Sequence, residues 1–145
     1  NQIKFIGPSI IERKKVGLLV DSDHQNYFLR GYKDLNTGLI NHQLNLYIKY
    51  TSSDRRNYSS ASSCDKWQGC SDGTQMDIEL VSSIAANCDT SNCDYSEVIE
   101  LNLSDDFLKN NMEGFSMRFN SILSTNKITI PSAYIKGYLR IVKQN

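Results

Sequence analysis

Gln43-Leu44-Asn45-Leu46-Tyr47-Ile48-Lys49-Tyr50 alternates without a break, with Leu44, Leu46, Ile48 and Tyr50 on one side and Gln43, Asn45, Tyr47 and Lys49 on the other. A period of two sends successive side chains to opposite faces of an extended chain, so this stretch reads as a strand with one dry and one wet face. Residues 76–80, 97–103, 115–120 and 133–141 repeat the pattern. In the last of these, Ile135, Leu139 and Ile141 fall on one face and Tyr134, Lys136, Tyr138 and Arg140 on the other. Residues 15–20, 27–32 and 127–130 are rich in β-branched and aromatic residues but alternate less regularly, and bring the count to seven or eight strands.

Between these runs, Asp34-Leu35-Asn36-Thr37-Gly38 has the chemistry of a hairpin turn, and Pro131 ends the segment before it because it has no N–H for a ladder. Helix signals are confined to residues 103–110. There Ser104 can cap the first turn, Asp105 and Asp106 favour the positive helix end, and Lys109 favours the negative one. Many short strands and one short helical turn predict an all-β fold: an antiparallel two-sheet β-sandwich, formed as a single domain over residues 1–145.

With 39% hydrophobic and 22% charged residues, the 145-residue chain can bury a core, which argues against disorder. Sixteen basic residues balance sixteen acidic ones, so no overall field favours nucleic acid or an anionic bilayer. No apolar run approaches the roughly 20 residues of a membrane span, so no transmembrane segment is expected. The first residues lack a secretory pattern and an initiator Met, which leads to the expectation that a segment was removed upstream. Charge is uneven along the chain: residues 64–106 carry ten acids and only Lys66 as a base, whereas after Glu113 only bases occur. Pairing of the acidic and basic strands in one sheet is the expected reason, with an electrostatic dipole as the alternative.

Cys64, Cys70, Cys88 and Cys93 are even in number and close in sequence, as disulfide partners are. Three connectivities are formally open. Residues 76–84 read as extended and would hold the two pairs about 25 Å apart, which favours local bridges, Cys64 with Cys70 and Cys88 with Cys93. Each would contribute about 2–2.5 kcal/mol by loop-closure entropy. Zinc is the competing reading, but five residues separate the first pair, wider than the usual two to four. Disulfides place the chain in an oxidising compartment, so export to the periplasm or the cell surface is expected.

Residues 51–75 form a long polar, Ser-rich run without periodicity, expected to be a loop, and long loops are commonly functional. Within it, Cys64-Asp65-Lys66-Trp67-Gln68-Gly69-Cys70 would hold the only Trp at the apex of a small ring. Trp67 and Lys66, with Tyr134, Tyr138 and Arg140 on an exposed strand face, are the candidate partner-binding residues. A Trp folded back onto the sheet edge is the plain alternative.

Catalysis finds no support in the sequence. His24 reads as a solvated turn residue and His42 as a partly buried, hydrogen-bonded strand residue. No nucleophile elbow, phosphate loop or zinc-protease helix occurs. A calcium loop starting at Asp21 lacks the glycine and the carboxylate it needs, since Asn26 and Tyr32 stand there. No metal or cofactor is therefore expected.

As a class, the chain resembles the small disulfide-bearing sandwich domains of exported bacterial proteins, some of which are lipid-anchored. The likeness covers no diagnostic motif and transfers no site residue. Asn57-Tyr58-Ser59 and Asn102-Leu103-Ser104 match the glycosylation sequon, which keeps a eukaryotic secreted origin open. The expected function is a non-enzymatic exported domain, with or without a lipid anchor in its precursor, that binds another protein of the envelope or surface. A carbohydrate-binding module using Trp67 and tyrosines is the first alternative, and a hydrolase built on carboxylates the second.

Overall fold

A computed structural model describes residues 1–15, 22–64 and 74–145. These residues form ten strands and two helices: β1 (Gln2–Ile6), β2 (Ile10–Lys15), β3 (Ser22–Asp34), β4 (Ile40–Ser52), β5 (Ser60–Cys64), β6 (Gln75–Asp77), β7 (Glu79–Ala86), β8 (Cys93–Leu103), α1 (Asp105–Asn110), β9 (Gly114–Asn120), β10 (Thr125–Pro131) and α2 (Ser132–Gln144). All pairings are antiparallel. The larger sheet has β3, β4, β8 and β7 in order, with β1 and β2 laid end to end along the free side of β3. The smaller sheet runs β10-β9-β5-β6.

The alternating residues do what their period requires. Leu44, Leu46 and Ile48 are buried, as are Ile99 and Leu101 on β8 and Tyr27 and Leu29 on β3. They meet Met117, Phe119, Ile128 and Ile130 from the smaller sheet in one hydrophobic cluster. Each such side chain contributes about 1.5–3 kcal/mol relative to exposure. The hairpin at Asp34 forms, its carboxylate accepting from the Asn36 and Thr37 amides at 2.7 and 3.2 Å. The short helix α1 forms as well, with Ser104 accepting from the Phe107 amide at 2.9 Å.

Residues 133–141 overturn the strand expected there, because they lie inside helix α2. The helix buries Ile135, Tyr138, Leu139 and Val142, a helical spacing of three, four and seven. Counting Tyr138 as an outward polar residue made a period of two fit nearly as well. α2 covers the part of the larger sheet that the smaller one leaves bare, and two tyrosines fix it there. The Tyr134 hydroxyl accepts from the Leu29 amide at 3.0 Å and donates to the Pro8 carbonyl at 2.8 Å, bridging the break between β1 and β2. The Tyr138 hydroxyl reaches the His42 ring at 2.9 Å. Both approaches need glycine beneath them: a Cβ on Gly7 would lie 2.4 Å from the Tyr134 oxygen, and one on Gly31 2.5 Å from that of Tyr138.

Other expectations change too. The run 51–75 is not one loop: β4 extends into it to Ser52, and β5 pairs with both β9 and β6. Residues 76–84 are not one strand but two, since β6 belongs to the smaller sheet and β7 to the larger. The edge strands β1 and β2 were not foreseen, because charged residues at 12–15 obscure their alternation; such charges suit an edge that must not recruit another strand. Of the expected strand 15–20, residues 16–20 lie outside the described residues. The acidic strands β7 and β8 sit in the larger sheet and the basic β9 and β10 in the smaller, so these strands do not pair in one sheet. Cys88 and Cys93 form a disulfide across the turn between β7 and β8. The expected bridge of Cys64 to Cys70 falls on residue 70, outside the described residues, so one of the two expected bridges is seen.

Gly31→Ala is expected to lower stability by about 1–3 kcal/mol, because the added methyl overpacks against Tyr138. In a Tyr138→Phe background the same substitution is expected to have a smaller effect. Urea unfolding of the four proteins of this cycle measures the difference.

Candidate functional site

The outer face of the larger sheet carries residues whose cross-strand register divides it into two halves. At one end, Ile11, Asn26, Tyr47 and Val98 form a row across β2, β3, β4 and β8. The next row outward is His24, Lys49, Ser96 and Ile84. Ile11 is 76% exposed, Ile84 59% and Tyr47 39%. With strands about 4.8 Å apart, the first row spans about 14 Å. The ion pair of Arg30 with Glu100 marks the other side of this apolar half. Opposite charges so placed hold both long side chains flat across β4.

Beyond that ion pair the face becomes amide-rich. The Arg30 Nε–H donates to Gln43 Oε1 at 2.7 Å, and Gln43 Nε2 donates to Asn102 Oδ1 at 3.0 Å. A pocket of about 510 Å³ opens here, lined by Gln2, Tyr32, Asn41, His42, Gln43, Asn102 and Leu103. Lys4 and Arg30 lie over the Tyr32 ring at 5.8 and 5.5 Å from its centre.

His42 forms the inner wall of that pocket. Its Nε2 bonds to Asp105 Oδ1 at 3.2 Å and its Nδ1 to the Tyr138 hydroxyl at 2.9 Å. An ionised carboxylate only accepts, so Nε2 carries the proton and Nδ1 accepts from the tyrosine. Burial pushes the His42 pKa down, opposed in part by Asp105. Lys109, and then His42, hold the Asp105 carboxyl below its usual range. Burial raises the Tyr138 hydroxyl. A hydroxyl, an imidazole and a carboxylate in a line have the makings of a proton relay. Here Tyr138 is buried and rests on Gly31, and both imidazole nitrogens are occupied. The arrangement ties α1, α2 and β4 together.

A second polar cluster lies inside, at the opposite end of the fold. Asp23 is paired with Arg56 through both carboxylate oxygens. Asn126 donates to Asp23 at 3.2 Å and to Gln25 at 2.8 Å, and Tyr58 bonds to both Arg56 and Asn126. Burial works against the charge of Arg56, but its bonds to Asp23 and Tyr58 outweigh that and keep it protonated above its ordinary range. Glu97, fully buried, accepts from the Tyr50 hydroxyl at 2.9 Å and from Ser83 at 3.1 Å. Asp23 and Glu97 are thus both bonded to internal partners. This cluster fastens residues 53–59, a polar segment, to both sheets.

Of the predicted partner-binding residues that are described, Tyr134, Tyr138 and Arg140 lie on α2 and do not form one exposed face. Trp67 and Lys66 lie outside the described residues. Tyr134 and Tyr138 turn inward from α2 to the glycine gaps, so the exposed tyrosine face expected at 133–141 does not form. Arg140 is exposed on α2 and lines a second groove of about 430 Å³ with Lys136 and Lys143. His24 is not in a turn but in β3, exposed and opposite Arg13 and Lys49. His42 is buried and hydrogen-bonded, as its parity with Leu44 implies. Among the described residues there is no cluster of three or more metal-ligating side chains, and no helix is long and apolar enough to cross a membrane. Gln43, Asn45 and Tyr47 were legible as the outward set of β4; their alignment with Tyr32, Asn102 and Ile11 required the register.

No family model, curated protein or solved structure matches the chain. The geometry alone therefore carries the functional reading.

The depressed His42 pKa has a pH signature. The unfolded imidazole takes its proton near 6.5 and the folded one only at lower pH. The contribution to stability is therefore complete above pH 6.5 and is lost as pH falls from there through the folded value. Urea unfolding of the wild type between pH 7.5 and 5 is expected to show this loss. His42→Gln is expected to be less stable at pH 7.5 but flatter across the window. A second prediction concerns the inner cluster: Arg56→Met is expected to cost about 3–5 kcal/mol, since it leaves Asp23 buried without its partner.

Proposed function

We propose that this protein is a non-enzymatic exported domain that docks on another protein of the cell envelope or surface through the apolar half of its open sheet face. The observation that carries this reading is the row Ile11, Tyr47 and half-buried Val98 with Ile84 beside it, in which Ile11, Tyr47 and Ile84 are left exposed on the face the core does not use. Contiguous apolar surface rimmed by polar groups is what interaction sites present. Here Lys49 and the Arg30–Glu100 pair supply the rim. Tyr47 is the natural anchor: its ring offers area with little entropy to lose, and its hydroxyl bonds to Ser96 at 3.2 Å, which pre-orients it.

Export is supported by the Cys88–Cys93 disulfide, a bond that persists where thiols are not kept reduced. The non-enzymatic part of the reading is supported by the histidines. His24 stands apart among cations, and both nitrogens of His42 are occupied by structural partners.

A photo-reactive phenylalanine analogue placed at Tyr47 in the native host is expected to give one discrete protein adduct. The same analogue at Thr129, on the outer face of the smaller sheet, is expected to give none. Adducts from Thr129 with none from Tyr47 would refute the assignment of the face.

A further inference from the structure

We infer that the pocket at the amide end of the open face binds one unit of a neutral saccharide. This goes beyond protein docking at the apolar half and does not depend on it. At about 510 Å³ the pocket is within the roughly 300–1,000 Å³ of small-ligand sites.

Its lining holds no carboxylate, ammonium or guanidinium. Around it Arg30 is paired with Glu100 and Asp105 with Lys109, and the ammonium of Lys4, outside the lining, lies against the Tyr32 ring at 5.8 Å from its centre. A cationic ligand would give up hydration and meet no carboxylate in the lining, and an anionic one would find only Lys4, which is outside the lining and against the Tyr32 ring, so the chemistry favours a neutral one.

The hydrogen-bonding capacity decides which neutral class. The chain from Arg30 through Gln43 to Asn102 uses the oxygens of both amides as acceptors, which fixes their orientation. It leaves the Asn102 NH2 and the second N–H of Gln43 as donors into the pocket. The side-chain amides of Gln2 and Asn41 and the Tyr32 hydroxyl make no hydrogen bond to the described residues and add both donors and acceptors. Uncharged donors and acceptors interleaved across β1, β3, β4 and β8 match the hydroxyls of a sugar, each of which gives one hydrogen bond and takes others. An apolar ligand would leave these groups unsatisfied. Tyr32, its ring covered by Lys4 and Arg30, lines the pocket and adds its hydroxyl to this set.

The test is titration of the full ¹⁵N-labelled chain with maltose and with N,N′-diacetylchitobiose at millimolar concentrations, following side-chain NH2 signals. Glucuronic acid and glucosamine serve as charged counterparts. At least one neutral disaccharide is expected to shift the Gln43 and Asn102 signals saturably. Its affinity is expected to fall about three- to tenfold in Asn102→Ala and in Tyr32→Ala, the loss of about one hydrogen bond. It is expected to be unchanged in Thr129→Ala. Both charged sugars are expected to bind more weakly. The inference is overturned if neither neutral probe moves those signals, if a charged sugar binds there as tightly, or if both pocket variants bind like the wild type. None of these results bears on crosslinking from Tyr47, so failure here and failure of protein docking are separable.

Discussion

The larger sheet has six strands and the smaller four, so the inner face of the larger exceeds what the smaller can cover. That mismatch governs the rest of the structure. Left open, the ends of β3 and β4 would expose apolar side chains next to a broken edge. Helix α2 closes the gap, and it does so through two hydroxyl groups as much as through Ile135, Leu139 and Val142. Tyr134 supplies the Leu29 amide with the acceptor that the break at Pro8 withholds. Tyr138 joins the helix to His42 and, through it, to α1. Gly7 and Gly31 make both contacts sterically feasible. Buried polar groups need partners, and here the need positions a whole element.

Because α1, α2 and the smaller sheet together complete the inner layer, the outer face of the larger sheet is left to do something else. Its composition is not uniform. One half groups apolar side chains around Tyr47, the other a ladder of amides leading to a pocket, and the Arg30–Glu100 pair lies between them. A sheet selected only to stay soluble would scatter charges over this face. The inner polar cluster around Asp23 and Arg56 works in the opposite sense. It consumes charge to anchor the 53–59 segment.

Much of the strand structure of both sheets is legible in the residues. The alternation of β4, β8 and β9 is clean because each has one dry and one wet face, and the Asp34 turn and the Ser104 cap are local chemistry that tertiary context did not override. The failures have physical causes. Residues 133–141 contain both a period of two and a helical one, and the choice turned on whether Tyr138 was polar or apolar. Tyrosine is both, and only the gap over Gly31 shows that its ring is buried while its hydroxyl is bonded. The edge strands β1 and β2 hid behind charges that edges require. The pocket was invisible because Gln2, Tyr32, Asn41 and Asn102 come from four strands and meet only through register. Nothing in the order of residues along the chain brings them together.

In the proposed reading the two faces of one sheet divide the labour, the inner for stability and the outer for recognition. Hydroxyl-radical footprinting of the protein in its native setting and after purification tests that division most directly. The account predicts that Ile11, Tyr47 and Ile84 are protected from oxidation in the native setting and reactive once purified, while Ile122 and Ile141, exposed elsewhere, react equally in both. Equal reactivity of all five, or protection of Ile122 and Ile141 alone, would contradict it.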